Sequence, residues 1–223
     1  MTVEIHWGSG SPYAWRVLLA AELKGVPYES HLLSFQAKDH KAPAFLAMNP
    51  RGKVPVLKDG GRVVTESMAI MHYIDGLATG PSLFGDSIDE RTAVWEWTSR
   101  VIYELEDPVN AFARPLVFGK PGDDVPGEVA AALPKLQAEL EQFEAGLAGR
   151  DWLCGGAGPS AADLAAFPHI KFIERAVGKP AAKALDLPLL PWSAHYPNIG
   201  AWVARIEALP GYERTYPPHW REG

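Results

Sequence analysis

The chain of 223 residues has a single cysteine, Cys154, so it can form no internal disulfide and no C-x-x-C redox pair, and any zinc site would need scattered histidines. It has no run of lysines and arginines that would track a phosphate backbone. Its 27 acidic against 21 basic residues give a net charge of -6, which argues against nucleic acid as a partner. No apolar stretch approaches the roughly 18 residues that a bilayer span needs, and no basic and apolar leader opens the chain. The expected address is therefore the cytosol, with no membrane partner. Disorder is excluded as well, because 47% hydrophobic and 22% charged residues supply ample core.

What is present divides at Gly80. Before it, Val3–Trp7 reads as a strand and Gly8–Ser11 as a turn. A helix beginning at Pro12 carries Val17, Leu18 and Ala21 on its buried face and stops at Gly25-Val26-Pro27. Tyr28–Leu33 reads as a second strand, parallel to the first, and a short helix covers Ala44–Met48. Val54–Leu57 and Arg62–Thr65 form a hairpin across Asp59-Gly60-Gly61, and a helix runs from Ser67 to about Gly76. This order predicts a thioredoxin-like α/β domain over residues 1–79, with 80–88 as linker.

From 89 to 223 the periodicity is helical. Val129, Leu133, Leu136, Leu140, Phe143 and Leu147 mark one helix from about Gly127. Pro108 and Pro115 predict a bend in the pattern between Asp89 and Phe118. Ser160-Ala161-Ala162-Asp163 reads as a capping box that opens another helix, and a last one buries Ile199, Trp202, Val203 and Ile206. The fold class is thus α/β followed by an all-helical domain.

Four groups of residues carry chemistry. Ser11 stands between a strand's end and a helix's start, where N–H groups and the helix dipole favour an anion, although a plain N-cap reads the same way. Pro55 opens a strand after a glycine turn. Trans is the common state, but a cis bond there would turn the Val54 backbone outward to pair with an extended peptide. In Glu66-Ser67 the serine can cap a helix while it and the helix N–H groups hold a carboxylate and Glu66 meets an ammonium. A cap beside a surface acid is the alternative. Lys38, His40 and Lys41 form either a solvated basic cluster or a seat for a second carboxylate. Taken together, the four describe a small peptide with an amino-acid terminus, a second carboxylate and a thiolate between them. Glutathione is that ligand.

The sequence also resembles a known family, the soluble glutathione transferases. The resemblance rests on Ser11-Pro12-Tyr13-Ala14-Trp15-Arg16-Val17, Lys24–Tyr28, Asn49-Pro50-Arg51-Gly52-Lys53-Val54-Pro55-Val56-Leu57 and Glu66-Ser67-Met68-Ala69-Ile70. It continues in Leu83-Phe84-Gly85 with Glu90-Arg91, and in Ser160–Pro168. Trp7–Pro12, Leu33-Ser34-Phe35, His40–Pro43 and Tyr216–Trp220 are most similar to the rho class, and His40-Lys41 also resembles the phi class.

The resemblance implies a serine-type enzyme, Ser11 stabilising the glutathione thiolate for attack on a hydrophobic electrophile. It implies Val54 as backbone partner of the cysteinyl unit, Pro55 as a cis proline, and Glu66 and Ser67 at the γ-glutamyl end. His40, Lys41 and Lys53 fall near the glycine carboxylate, although many relatives have glutamine where Lys53 stands. No metal is implied, and a homodimer is. The electrophile would sit between the domains, with Tyr13, Phe35, Tyr103 and Phe112 as candidate walls. The tail Pro217-Pro218-His219-Trp220 would fold over that cleft or dock elsewhere. Ser9 is a competing hydroxyl, ranked second because only Ser11 directly precedes the Pro-aromatic pair. Cys154 lies in an apolar run and reads as a small buried hydrophobe. Glutathione-dependent isomerisation or peroxide reduction, and a non-catalytic interaction module, are the alternative functions.

Overall fold

The computed structural model describes residues 2–221. Its first unit comprises Met1–Asp86 together with Ala208–Gly223. A four-stranded sheet is ordered β2-β1-β3-β4, built from β1 (Val3–Gly8), β2 (Tyr28–Leu33), β3 (Val56–Asp59) and β4 (Arg62–Thr65). β1 and β2 are parallel, joined by the crossover helix α1 (Pro12–Leu23), while β1 with β3 and β3 with β4 are antiparallel. Along β1, Val3, Ile5 and Trp7 are buried and Glu4 and His6 are half-buried, the period-2 alternation of a strand with one core face. α2 (Pro43–Met48) precedes β3, and α3 (Ser67–Leu77) buries Ile70, Met71 and Ile74.

β3 begins at Val56 and not at Val54, since the ladder to β4 opens with Val56 opposite Thr65. Pro55 has no N–H to give to that ladder. All of α1 from Ala14 to Ala21 is buried, more than one amphipathic face. The covering on its far side comes from α3 and from α11 (Tyr212–Thr215) near the chain's end.

That docking corrects the expectation that everything from 89 to 223 belongs to the helical domain. Trp15 Nε1 donates to Thr215 Oγ1 at 2.9 Å, and the Trp15 ring stands edge-on to those of Tyr216 and Trp220. Arg214 is paired with Glu22 of α1. A buried aromatic cluster and a hydrogen-bonded indole outweigh proximity along the chain.

The second unit, Ser87–Glu207, is helical. α4 (Ile88–Arg100) opens with a capping box between Ser87 and Glu90. The irregularity expected at the prolines falls earlier: Val101–Leu105 forms a π turn, with the Glu106 N–H reaching the Val101 carbonyl. α5 (Glu106–Phe118) holds Pro108 in its first turn and continues through Pro115. α6 (Val125–Gly146) starts slightly before the expected point, capped by Asp124. α7 (Ala161–Val177) is buried on nearly every face and forms the centre of the unit. Asp163 in its first turn accepts from Ser160 N and Oγ, Leu153 N and Trp202 Nε1. α8 (Pro180–Lys183), α9 (Trp192–His195) and α10 (Pro197–Glu207) follow in this unit, and α11 and a 3-10 turn at Pro218–Trp220 in the first.

Candidate functional site

β1 ends at Gly8, and the turn after it is closed by the Ser11 amide donating to the Gly8 carbonyl at 3.1 Å. Gly10 takes φ +78, a conformation that glycine adopts without strain. Ser11 is the N-cap of α1, and Pro12 follows in the first turn, where no N–H is needed. Ser11 Oγ accepts from the Ala14 amide at 3.3 Å. That bond uses a lone pair of the hydroxyl and leaves its proton available to donate, at the positive end of a 12-residue helix. Ser9, the competing hydroxyl, is engaged elsewhere: its Oγ shares a 2.5 Å hydrogen bond with His219 Nδ1.

The remaining expected residues follow one another along a connected rim. A Cβ on Gly8 would lie 2.3 Å from Phe35 Cζ, so the Phe35 ring rests directly on the Gly8 backbone. The edge of that ring meets His40, with centroids 5.3 Å apart. His40 and Lys41 share a single 3-10 turn, and the loop before it is held by Asp39 Oδ2 accepting from the Ser34 amide at 2.8 Å. Lys41 Nζ donates to the carbonyls of Gly52, at 3.2 Å, and Arg51, at 3.3 Å. The lysine thus secures the turn that leads into Lys53-Val54-Pro55. Asn49 secures it from the other side, donating from Nδ2 to the Lys53 carbonyl at 2.8 Å. Arg51 Nη1 then lies 3.5 Å from Glu66 Oε1. Arg51 and Asn49 carry no recognisable signal of their own within Asn49-Pro50-Arg51-Gly52 beyond the turn itself.

The Val54–Pro55 bond is cis. Lys53 is exposed and Val54 lies outside the strand ladder. Ser67 does not cap α3. Glu66 occupies the N-cap position with no side-chain capping bond, and Ser67 is the first helical residue, buried. The Glu66 side chain thus accepts from none of the first-turn amides of α3, and no hydrogen bond from another side chain reaches them among the described residues. Glu66 takes φ +68, a left-handed backbone that is costly for a residue with a Cβ and is typical of positions shaped by a ligand.

The four aromatic candidates separate. Tyr13 and Phe35 are 37% and 45% exposed in the first unit. Tyr103 is 74% exposed in the π turn of the second. Phe112 is a correction: at 0% exposure it is a core side chain of the helical unit and cannot line a ligand site there, because α5 turns its apolar face inward. A groove of about 330 Å³ in that unit is lined half by apolar side chains, among them Trp97 and Phe143, and half by Arg100, Glu104, Glu139 and Gln142, and by neither Tyr103 nor Phe112. Cys154 is half-buried, lies with its sulfur 3.4 Å from Ser160 Oγ, and has its thiol pushed up to about 11 chiefly by burial, the opposite of a reactive cysteine.

Comparison with known proteins gives two family matches in chain order: "Glutathione S-transferase, N-terminal domain" over residues 10–77 and "Glutathione S-transferase, C-terminal domain" over residues 126–205. Glutathione S-transferase 4 of Zea mays is 35% identical over 217 residues, covering 96% of this chain and 91% of that one. A glutathione S-transferase structure from the Antarctic clam Laternula elliptica superposes with a TM-score of 0.81 at 27% identity, over 100% of this chain and 95% of that one. The structure of glutathione S-transferase-I bound with lactoylglutathione superposes with a TM-score of 0.77 at 26% identity, over 96% of this chain and 97% of that one.

Proposed function

The chain belongs to the glutathione S-transferase family and is a glutathione transferase, and we propose that it works as a serine-type enzyme in which Ser11 stabilises the glutathione thiolate. One observation carries the assignment of the site: the unbroken rim of contacts from Gly8 through Phe35, His40, Lys41, Gly52 and Arg51 to Glu66. On that rim, Ser11 stands at the thiol. Val54 offers its backbone to the cysteinyl unit beside Pro55. Glu66, Ser67 and the open first turn of α3 take the γ-glutamyl end, while Lys41 and Lys53 give positive charge, and His40 a ring N–H, to the glycine carboxylate.

A free thiol of pKa near 8.5 is only a few per cent thiolate at neutral pH. A hydrogen bond to a charged acceptor contributes about 1.5–3 kcal/mol and a helix N-terminus about 0.3–1 kcal/mol. At 1.36 kcal/mol per unit, these lower the bound thiol's pKa by roughly 1 to 3 units. Ser11 acts as a donor and takes no proton. The sulfur's electron pair forms the new bond to the electrophile, whose leaving group departs with its pair or whose unsaturated carbon is protonated from solvent.

The rho class is our reading of the subfamily. It is supported by Trp7–Pro12 and by the Tyr216–Trp220 tail seated on α1 and the Ser9-Gly10 turn. Hydrophobic electrophiles, a homodimer and a cytosolic address follow from the family. No helix among the described residues is long and apolar enough to cross a membrane.

The test is the pH profile of conjugation in Ser11→Ala. The reading predicts a loss of roughly 10- to 100-fold at neutral pH that recovers as the pH rises past the free thiol's pKa. Full activity of the variant at neutral pH would overturn it.

A further inference from the structure

A single cysteine leaves scattered histidines as the only route to a transition-metal site, and the sheet brings two of them together. His6 on β1 and His31 on β2 are direct partners in the parallel register, and so are Glu4 and Glu29 two residues before them. Because side chains alternate along a strand, all four stand on one face as a two-by-two grid. The imidazole rings are stacked, with centroids 4.4 Å apart. Glu4 Oε2 lies 3.6 Å from each Nε2, and Glu29 Oε1 lies 3.2 Å from His31 Nε2.

None of those contacts has hydrogen-bond geometry. Both Nε2 atoms are buried and have no hydrogen-bond partner among the described residues, a state that two polar groups seldom share on one sheet face without a reason. Ligand atoms of Glu4, His6 and His31 all lie within 4.8 Å of one another. We infer that His6, His31 and Glu4, with Glu29 beside them, form a site for one divalent ion of the Zn²⁺, Ni²⁺ or Cu²⁺ class.

The donor set matches that class, since imidazole suits these metals and a carboxylate completes a mixed N/O shell. Tetrahedral bonds of about 2.0–2.2 Å put ligand atoms roughly 3.3–3.5 Å apart, close to the present Glu4 distances of 3.6 Å, and closure requires the two stacked rings to turn so that both Nε2 lone pairs meet at one point. Lys58 Nζ donates to Glu4 Oε1 at 2.7 Å, which orients the carboxylate and leaves Oε2 to the histidines, although its charge opposes a cation. β2 is an edge strand and Glu29 is 66% exposed, so the ion has an open route in. An ion here would clasp β1 to β2, the strands that lead to Ser11 and to Phe35.

The test uses tag-free protein, stripped with chelator, in the absence of glutathione, because glutathione binds these metals itself. Calorimetric titration with Zn²⁺ should show one saturable site. His6→Gln and His31→Gln should each weaken it by at least about tenfold, Lys58→Met should tighten it, and exposed His195→Gln should leave it unchanged. Zn²⁺ should raise the Tm of the unmodified protein and not that of His31→Gln. Cu²⁺ bound to the unmodified protein should show two nitrogen ligands by electron paramagnetic resonance, an outcome independent of how the variants fold. Absence of saturable binding, binding that survives both histidine changes, or a Cu²⁺ spectrum without two nitrogens would overturn the inference.

Discussion

Ser9 Oγ and His219 Nδ1 share a 2.5 Å hydrogen bond across 210 residues, which fastens the end of the chain to the loop that carries Ser11. The same histidine crowds Gly10, where an added Cβ would lie 2.7 Å from His219 Cε1. The tail therefore holds the turn in place and occupies the one hydroxyl that competes with Ser11.

Ser9→Ala is accordingly expected to keep kcat/KM within about threefold of the parent at neutral pH, because it removes a tether and not the thiolate's donor. His219→Ala should behave the same way. Steady-state kinetics on the two variants decides this, and a loss from Ser9→Ala as large as that from Ser11→Ala would reverse the roles of the two serines.

Gly8→Ala should destabilise by about 1–3 kcal/mol and raise the KM for glutathione, because the new methyl group collides with the Phe35 ring that supports His40. Pairing it with Phe35→Ala should recover part of that stability. A double-mutant cycle on unfolding free energies measures the coupling, and strict additivity would contradict the packing described.

Glu66→Gln should raise the KM for glutathione by about 2- to 5-fold with kcat unchanged, the size appropriate to an exposed charge facing an ammonium. Arg51→Ala removes a cation that already neighbours Glu66 and should not raise KM. Initial-rate measurements over a range of glutathione concentrations separate the two.

How much of this was legible in the sequence depends on the range of the interaction. The Ser11 cap, the Asp59-Gly60-Gly61 hairpin and the Ser160–Asp163 capping box are written in neighbouring residues, and each stands where its local signal places it. Phe112 looked like a ligand wall because an aromatic at helical spacing carries no mark of which way its helix will face. Ser67 looked like a cap because Ser is the usual cap, whereas Glu66 takes that position with a left-handed backbone. The docking of Thr215 and His219, and the meeting of His6 with His31, are decided by packing across tens to hundreds of residues, which no local pattern records.

Lys24 and Asp75 form a well-buried pair at 2.9 Å. Burial pushes the Asp75 carboxyl up, but the Leu83 amide, the Ser82 hydroxyl and the Lys24 ammonium outweigh it and hold the pKa below the ordinary carboxylate value. A depressed carboxylate contributes stability above its unfolded pKa and loses it as pH falls through the folded one, so this contribution should begin to fall below about pH 4 and be lost only below the lower folded-state pKa. Asp75→Asn should cost about 3 kcal/mol at neutral pH and flatten the acid limb of the stability curve. Denaturant unfolding across that range checks both.

The most direct test of the account is the ultraviolet absorbance of the glutathione thiolate on the protein, titrated against pH for the unmodified chain and for Ser11→Ala. The account predicts a bound thiol pKa roughly 1 to 3 units below that of free glutathione, returning most of the way to the free value in the variant. Bound glutathione with an unshifted pKa, or a shift that survives loss of the Ser11 hydroxyl, would contradict it.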